Sequence, residues 1–401
     1  MHPFNPISGS RRPRHLAVYD YLAGKLKSNE CQAGDRLETD AELAAKFKIS
    51  RQTVLRAIQQ LQTEKRIVRH QGKGTFVSTP PATAPSPAAA RRTVGLVAAN
   101  LADSLGHQVA LGAEAALRRR GYDLVLCNSN YDILSEAAHL RRLKSHGVAG
   151  VLLIPYLPPH NEALVKQMMQ DANTPTPVVC IDIGFKKLAP PLITADNYQA
   201  AYDAVNYLIS LGHQRIAFIV NTIDRIDTVQ TIRERYQGYR RALADHGLPF
   251  DRELIQEVGA KFSAMRPRDV GLEAYGYEPM HKLLCLKAPP TAVFLLWDEL
   301  APGAMNAVIN SGLRVPQDVS FVSFNDDDFA AFLPAPLTTL RQPGEAMGRE
   351  AATLVMDLAE GKPNLVTQHR LPAKLILRSS ACPPGGNDAV AALENCFPAS
   401  A

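Results

Sequence analysis

The chain has 401 residues, 46% of them hydrophobic and 21% charged, a globular composition with length for two or three cores. No run of eighteen apolar residues exists, which excludes a membrane-spanning helix of ordinary length, and six scattered cysteines without a CxxC pair exclude a disulfide or zinc framework. The net charge of +5 is uneven: residues 1–92 hold sixteen Lys and Arg against seven Asp and Glu, leaving an excess of acid for the remainder, as in a nucleic-acid-binding module joined to a neutral or acidic partner.

Residues 1–13 carry no apolar periodicity and are expected to be a disordered tail; they lack the apolar centre of a secretion signal, so a cytoplasmic protein with reduced thiols is expected. From Leu16 the apolar residues Leu16, Tyr19, Leu22 and Leu26 fall at helical spacing. Thr39-Asp40-Ala41-Glu42 is a capping box that opens a second helix, and Ser50 is the N-cap of a third with Val54, Ala57, Ile58 and Leu61 on its core face. The stretch "RIVRHQGKGTFV" reads as two short strands around Gly72-Lys73-Gly74. Three helices and a basic hairpin over 14–77 make a winged helix-turn-helix. Residues 78–92, "STPPATAPSPAAARR", are rich in proline and alanine and predict an extended linker.

After Arg92 the texture changes. "TVGLVAAN", "YDLVLCNSN", "VAGVLLIP", "PVVCID", "RIAFIV", "TAVFLLW" and "VSFVSFND" are apolar strands, alternating with amphipathic helices such as "QVALGAEAALRRRG" and "RERYQGYRRALADHG". Near-continuous apolar strands between helices predict parallel sheets covered on both faces, so the fold class is α/β. About 285 residues exceed one comfortable core, so two lobes are expected, with a site in the loops at the carboxyl ends of their strands. Cys127, Cys180 and Cys285 are expected to be buried fillers. The run Asp326-Asp327-Asp328 reads as a solvated turn rather than a metal site, and residues 381–401 as a disordered tail. Neither an activated nucleophile nor a glycine-rich nucleotide loop is present, so no enzyme and no cofactor are expected.

The stretch "DRLETDAELAAKFKISRQTVLRAIQQL", followed by "RHQGKGTFV", resembles the DNA-binding head of the GntR family. The resemblance implies that Arg51, Gln52, Thr53 and Arg56 at the start of the third helix face base edges, with Arg36, Thr39 and Ser50 nearby and His70, Gly72, Lys73 and Gly74 on the wing. Arg51, Thr53, Gly72 and Gly74 match the family's pattern; Ala41 and Leu55 stand where it usually has arginine.

Residues 93–380 resemble the effector domain of the LacI family, which has a two-lobed, periplasmic-binding-protein-like fold. The matching stretches run in the family's order: "GAEAALRRRGYDLVLCNSN", "GVAGVLLIP", "VVCIDI", "LGHQRIAFI", "RYQGYRRAL" and "PLTTLRQPGEAMGREAATLV". A three-segment crossing would give one lobe of 93–191 with 328–359 and a second of 192–327 with 366–378. The resemblance implies an effector site of Asp182, Thr231, Arg235, Phe262, Trp297, Asp298 and Asn325. In it Arg235 would fork onto vicinal hydroxyls, Asp182 would accept from them, and Phe262 would stack on a ring. Trp297 and Asn325 depart from the family's usual Asn and Asp. The expected protein is a homodimeric repressor that releases operator DNA when a small ligand binds between its lobes. This pairing of head and body resembles repressors of pentose metabolism, which makes a sugar the first candidate effector; a purine-like effector is the alternative, and a solute-binding protein a weaker one.

Overall fold

The computed structural model describes residues 14–27, 34–64, 66–70, 74–77, 92–156, 158–220, 223–258, 275–363 and 367–385. The expected tail at 1–13 and residues 78–91 of the linker expected over 78–92 lie outside them, as do Gly72, Lys73, Phe262 and the chain beyond residue 385. Two compact units divide the chain, Met1–Ser86 and Pro87–Ala401.

In the first unit, α1 (Arg14–Lys27), α2 (Asp40–Phe47) and α3 (Arg51–Thr63) precede a hairpin of β1 (Ile67–His70) and β2 (Gly74–Val77). Helix α2 starts where the capping box requires: the Thr39 hydroxyl accepts from the Glu42 amide and the Glu42 carboxylate from the Thr39 amide. Helix α2 ends at Lys48, whose left-handed conformation (φ 49°) turns the chain, and Ser50 caps α3 two residues later. Val54, Ala57, Ile58 and Leu61 recur at helical spacing on α3 and close a small core with Val18, Leu22, Leu43, Ile67 and Val77. The strands pair antiparallel from Ile67 with Val77 to His70 with Gly74, which is the expected wing.

The second unit holds two six-stranded sheets. The first contains β3 (Thr93–Ala98), β4 (Asp123–Asn128), β5 (Gly150–Ile154), β6 (Val178–Ile181), β7 (Leu192–Ala195) and β13 (Gln368–Leu371), all parallel, in the order β13-β7-β6-β5-β3-β4. Side chains alternate across it. Leu152, Val179 and Ile181 face a core shared with α4 (Ser104–Arg119) and α12 (Gly344–Ala359), while Val151, Leu153 and Cys180 face one shared with α5 (Ile133–Ser145) and α6 (Pro158–Gln170). The second sheet runs β14-β12-β11-β10-β8-β9. Its strands are β8 (Ile216–Val220), β9 (Ile255–Glu257), β10 (Ala292–Leu295), β11 (Ser320–Asn325), β12 (Thr338–Arg341) and, antiparallel, β14 (Lys374–Ile376). It packs with α7 (Asn197–Ser210), α9 (Gln230–Asp245), α10 (Tyr277–Leu284) and α11 (Ala301–Asn310) around Phe218, Phe294, Phe321 and Phe324; the short α8 (Ile223–Thr228) precedes α9.

This topology moves the lobe boundaries read from sequence. Strand β7 pairs with β6, so the first lobe runs to residue 195 rather than 191; β12 pairs with β11, so the second lobe keeps the chain to 341 rather than 327. Strands β13 and β14, expected in one lobe, lie in different sheets. The chain therefore crosses three times, near residues 196, 342 and 372. Strand alternation cannot reveal these positions, because which sheet a short apolar strand joins depends on partners far away in sequence. The fold also runs past residue 380: Ala381 is buried, and the Cys382 amide and carbonyl bond Ser320 of β11. Cys285, expected inside, is exposed beyond the end of α10, whereas Cys127 and Cys180 are buried.

Candidate functional site

In each sheet the chain doubles back across its first strand (β4-β3-β5 and β9-β8-β10), leaving a switch point at the carboxyl ends where open α/β sheets hold ligands. Arg235, on the second turn of α9, anchors the site there. It is buried, its Nε donates to Asn197 Oδ1 at 2.8 Å and its Nη1 to the Leu296 carbonyl at 2.7 Å. The guanidinium Cζ lies over the Phe324 ring, 3.5 Å from its centroid. Burial pulls its pKa down to about 10, opposed by Asp182, Asp298 and Glu234, so it stays charged at neutral pH. It makes no ion pair with its helix neighbours Glu234 or Asp227 among the described contacts.

Asp182 follows β6 in a left-handed conformation (φ 67°), unusual for a residue with a side chain, and its Oδ1 is buried without a hydrogen-bond partner. Burial raises its pKa, while Arg235 works in the other direction. Trp297 follows β10 with its indole Nε1 buried and unpartnered. Asn325 ends β11 at φ 124° and accepts from Gln342 Nε2 at 3.0 Å; the amide oxygen of Gln342 is again buried and unpaired. Thr231 is buried one turn before Arg235. Asp182, Trp297 and Asn325 thus stand at or just past strand ends near Arg235, with Thr231 on its helix, and Phe262 lies outside the described residues.

Asp298 is a correction. It is fully buried within the second lobe, where Oδ2 accepts from the Asp327 amide at 2.8 Å and Oδ1 from the Thr339 hydroxyl at 2.7 Å. One oxygen holds the loop after β10 to the loop after β11 and the other holds it to β12, so the side chain fixes the frame instead of facing a ligand. Of the run Asp326-Asp327-Asp328, expected to be a solvated turn, only Asp328 is exposed. Asp326 is buried between Arg341 and Arg378, at 2.5 and 2.6 Å, and the carboxylate of Asp327 accepts from the Ser104 amide of the other lobe at 3.3 Å.

Several residues at the site were not singled out from sequence. Glu234 is buried on α9, its Oε1 bound by Arg370 of β13 at 2.7 Å and by Gln230 at 2.9 Å, its Oε2 without a partner. The Arg370 bond joins the lobes. Behind them, burial raises Asp103, Asp298 and Glu299 to about 7 and Asp327 to about 6. Glu234 was visible in the motif around Arg235, but only the third chain crossing brings Arg370 to it.

On the head, Arg36, Arg51, Gln52 and Arg56 are exposed, the last three along the start of α3. Thr39 and Ser50 act as caps, Ser50 also lying 2.9 Å from the hydroxyl of half-buried Thr53. His70 and Gly74 face each other across the wing, and Gly74 (φ 117°) lies so close to Arg36 that a Cβ there would come within 2.9 Å of its Nε. Ala41 and Leu55 are exposed on α2 and α3 where the resemblance expected arginine.

Comparison with known proteins bears on both units. Residues 15–77 match the model of bacterial regulatory proteins of the gntR family, and residues 205–381 that of a periplasmic binding protein-like domain. The chain is 28% identical over 348 residues to the arabinose metabolism transcriptional repressor of Geobacillus stearothermophilus, covering 87% of this chain and 92% of that one. It is 30% identical over 289 residues to the HTH-type transcriptional repressor CytR of Escherichia coli K12, covering 72% and 79%. A solved LacI family transcriptional regulator from Mycobacterium smegmatis superposes with a TM-score of 0.60 at 25% identity, over 73% of this chain and 99% of that one.

Proposed function

The chain belongs to the family of helix-turn-helix transcriptional repressors with a periplasmic-binding-protein-like effector domain, carried here behind a gntR-type head, and on that premise we propose that it is a homodimeric, sugar-controlled repressor. It is a DNA-binding regulator of transcription, and its relatives are regulators, not enzymes or exported solute carriers. Among the described residues no helix is long and apolar enough to cross a membrane, which accords with the cytoplasm as the place of action.

The observation that carries the sugar reading is Arg235. A planar guanidinium, immobilised by Asn197, the Leu296 carbonyl and the Phe324 ring beside unpaired Asp182 Oδ1, is pre-organised to fork onto neighbouring hydroxyls while the carboxylate accepts from them. The arabinose-related name of a relative spanning most of both chains favours the same class. Exposed Leu111, Leu126 and Leu134 on the first lobe offer apolar surface for a second copy, and a two-fold dimer would present two heads to two half-sites. Arg51, Gln52 and Arg56 would read bases, with Arg36 and the wing on phosphates.

The reading is tested by titrating the full-length protein on duplex operator DNA with and without pentoses and hexoses. Release of DNA by a sugar is expected. Salt-sensitive DNA binding that every sugar leaves unchanged would keep the regulator and remove the sugar.

A further inference from the structure

The polar atoms left unpaired in the cleft define the ligand's chemistry more closely than its family does. Among the described residues three are acceptors, Asp182 Oδ1, Glu234 Oε2 and Gln342 Oε1; one is a donor, Trp297 Nε1. Each is tied to Arg235. Asp182 and Glu234 act on its charge, Trp297 follows the carbonyl that it binds, and Gln342 bonds Asn325, next to the ring beneath it.

The charges point the same way. Two carboxylates, Asp182 and Glu234, face two guanidiniums, Arg235 and Arg370. Arg235 is already bonded through Nε and Nη1, and Arg370 is bonded to Glu234 with Asp196 beyond it. Among the described residues these charges balance, and the carboxyls of Asp103, Glu299 and Asp327 add negative charge to one another nearby. A phosphate or carboxylate ligand could accept from the N–H groups left on Arg235, but it would bring no donor to the three unpaired acceptors and would put its charge beside buried oxygens. A hydroxyl-rich neutral molecule would give each unpaired acceptor a proton and take one from the indole.

Resting on the reading of this cleft as the effector site, we infer that it selects an uncharged, donor-rich effector against its phosphorylated or carboxylated forms, and that Glu234 sets this preference. Glu234 is the one acceptor whose charge is held from the opposite lobe, through Arg370, so it meets the ligand only as Arg370 positions it.

The chain contains a single tryptophan, Trp297, so its emission reports on the cleft directly. The experiment follows that emission and the thermal midpoint of the full-length protein against pentoses and hexoses, their phosphate esters and uronic acids, and nucleosides with their monophosphates. A free sugar that binds at least ~100-fold more tightly than its own phosphate ester is expected, because unmatched buried polar groups discriminate strongly. A nucleoside that binds while its monophosphate is rejected upholds the inference and overturns the sugar. An ester or acid that binds as well as its neutral parent, or better, overturns the inference and leaves the sugar reading standing. Silence from every neutral compound overturns both. In Glu234→Gln, which keeps the shape and one acceptor, the ratio between the neutral compound and its ester should shrink at least ~10-fold. An unchanged ratio in a variant that still melts cooperatively removes Glu234 from this role.

Discussion

Arg235 carries more of the proposed function than any other side chain, and its contacts say how it should fail. Arg235→Ala should abolish the ligand response while leaving operator affinity within about threefold, since the residue lies in the second unit. Arg235→Lys should fail almost as fully, because a single ammonium cannot hold Asn197, the Leu296 carbonyl and the Phe324 face at once. A ligand response retained in both variants, measured by Trp297 emission, would remove the assignment. On the head, Arg51→Ala should weaken specific binding by about 1–3 kcal/mol at one base position and leave the others alone. Competition among operators mutated one base at a time would show whether the loss is confined in this way. Arg235 was legible because its motif, "RYQGYRRAL", is local; Glu234, though adjacent, showed no role until its partner on β13 was placed.

Between elements, the closest packing in the first lobe is that of α4 on α12, and two glycines allow it. A Cβ on Gly112 would lie 2.0 Å from the Glu345 carbonyl, and one on Gly348 would lie 2.1 Å from that of Val109. Gly112→Ala should therefore lower stability by about 1–3 kcal/mol, as overpacking does, with the head's DNA contacts unaltered. Denaturant unfolding of the variant measures this, and an unchanged midpoint would mean that the helices can part without cost. Sequence pattern located α4 but gave no sign of what it would touch, because α12 lies more than two hundred residues away. Strands β7, β13 and β14 were not seen as separate elements at all. Three or four residues are too few for an alternation to stand out.

For the whole molecule, four buried carboxyls give a pH dependence with a definite sign. Asp103, Asp298 and Glu299, raised to about 7, and Asp327, raised to about 6, hold protons in the folded state that the unfolded chain releases near pH 4. Their contribution is therefore largest below pH 4 and is lost as pH rises through 6 to 7. Buried His213, lowered to about 4, works the opposite way, but its contribution is complete above pH 6.5. From pH 6.5 to 8 the carboxyls alone set the slope among these groups, and stability should fall by about 1–2 kcal/mol. Melting curves at the two pH values check this, and Asp103→Asn, which keeps an acceptor for the Gly106 amide, should flatten the fall. If effector and operator favour different lobe arrangements, each should weaken the other's binding by the same factor, typically ~1–3 kcal/mol. Unequal coupling in the two directions would rule out a simple two-state exchange.

The sequence by itself determined the capped helices and wing of the head, the change of texture at the body, the body's parallel α/β class and Arg235 itself, but not the residues that hold Arg235. All of these depend on local pattern: caps, turn residues, apolar runs and short motifs that fold the same way wherever the rest of the chain goes. Only the tertiary structure decided where the chain crosses between the lobes. It also turned Asp298 inward, buried Asp326 between two arginines and set Arg370 against Glu234. These depend on pairs separated by tens to hundreds of residues, whose energies come from burial and charge. A one-dimensional pattern carries neither the distance between two groups nor the amount of water left around them.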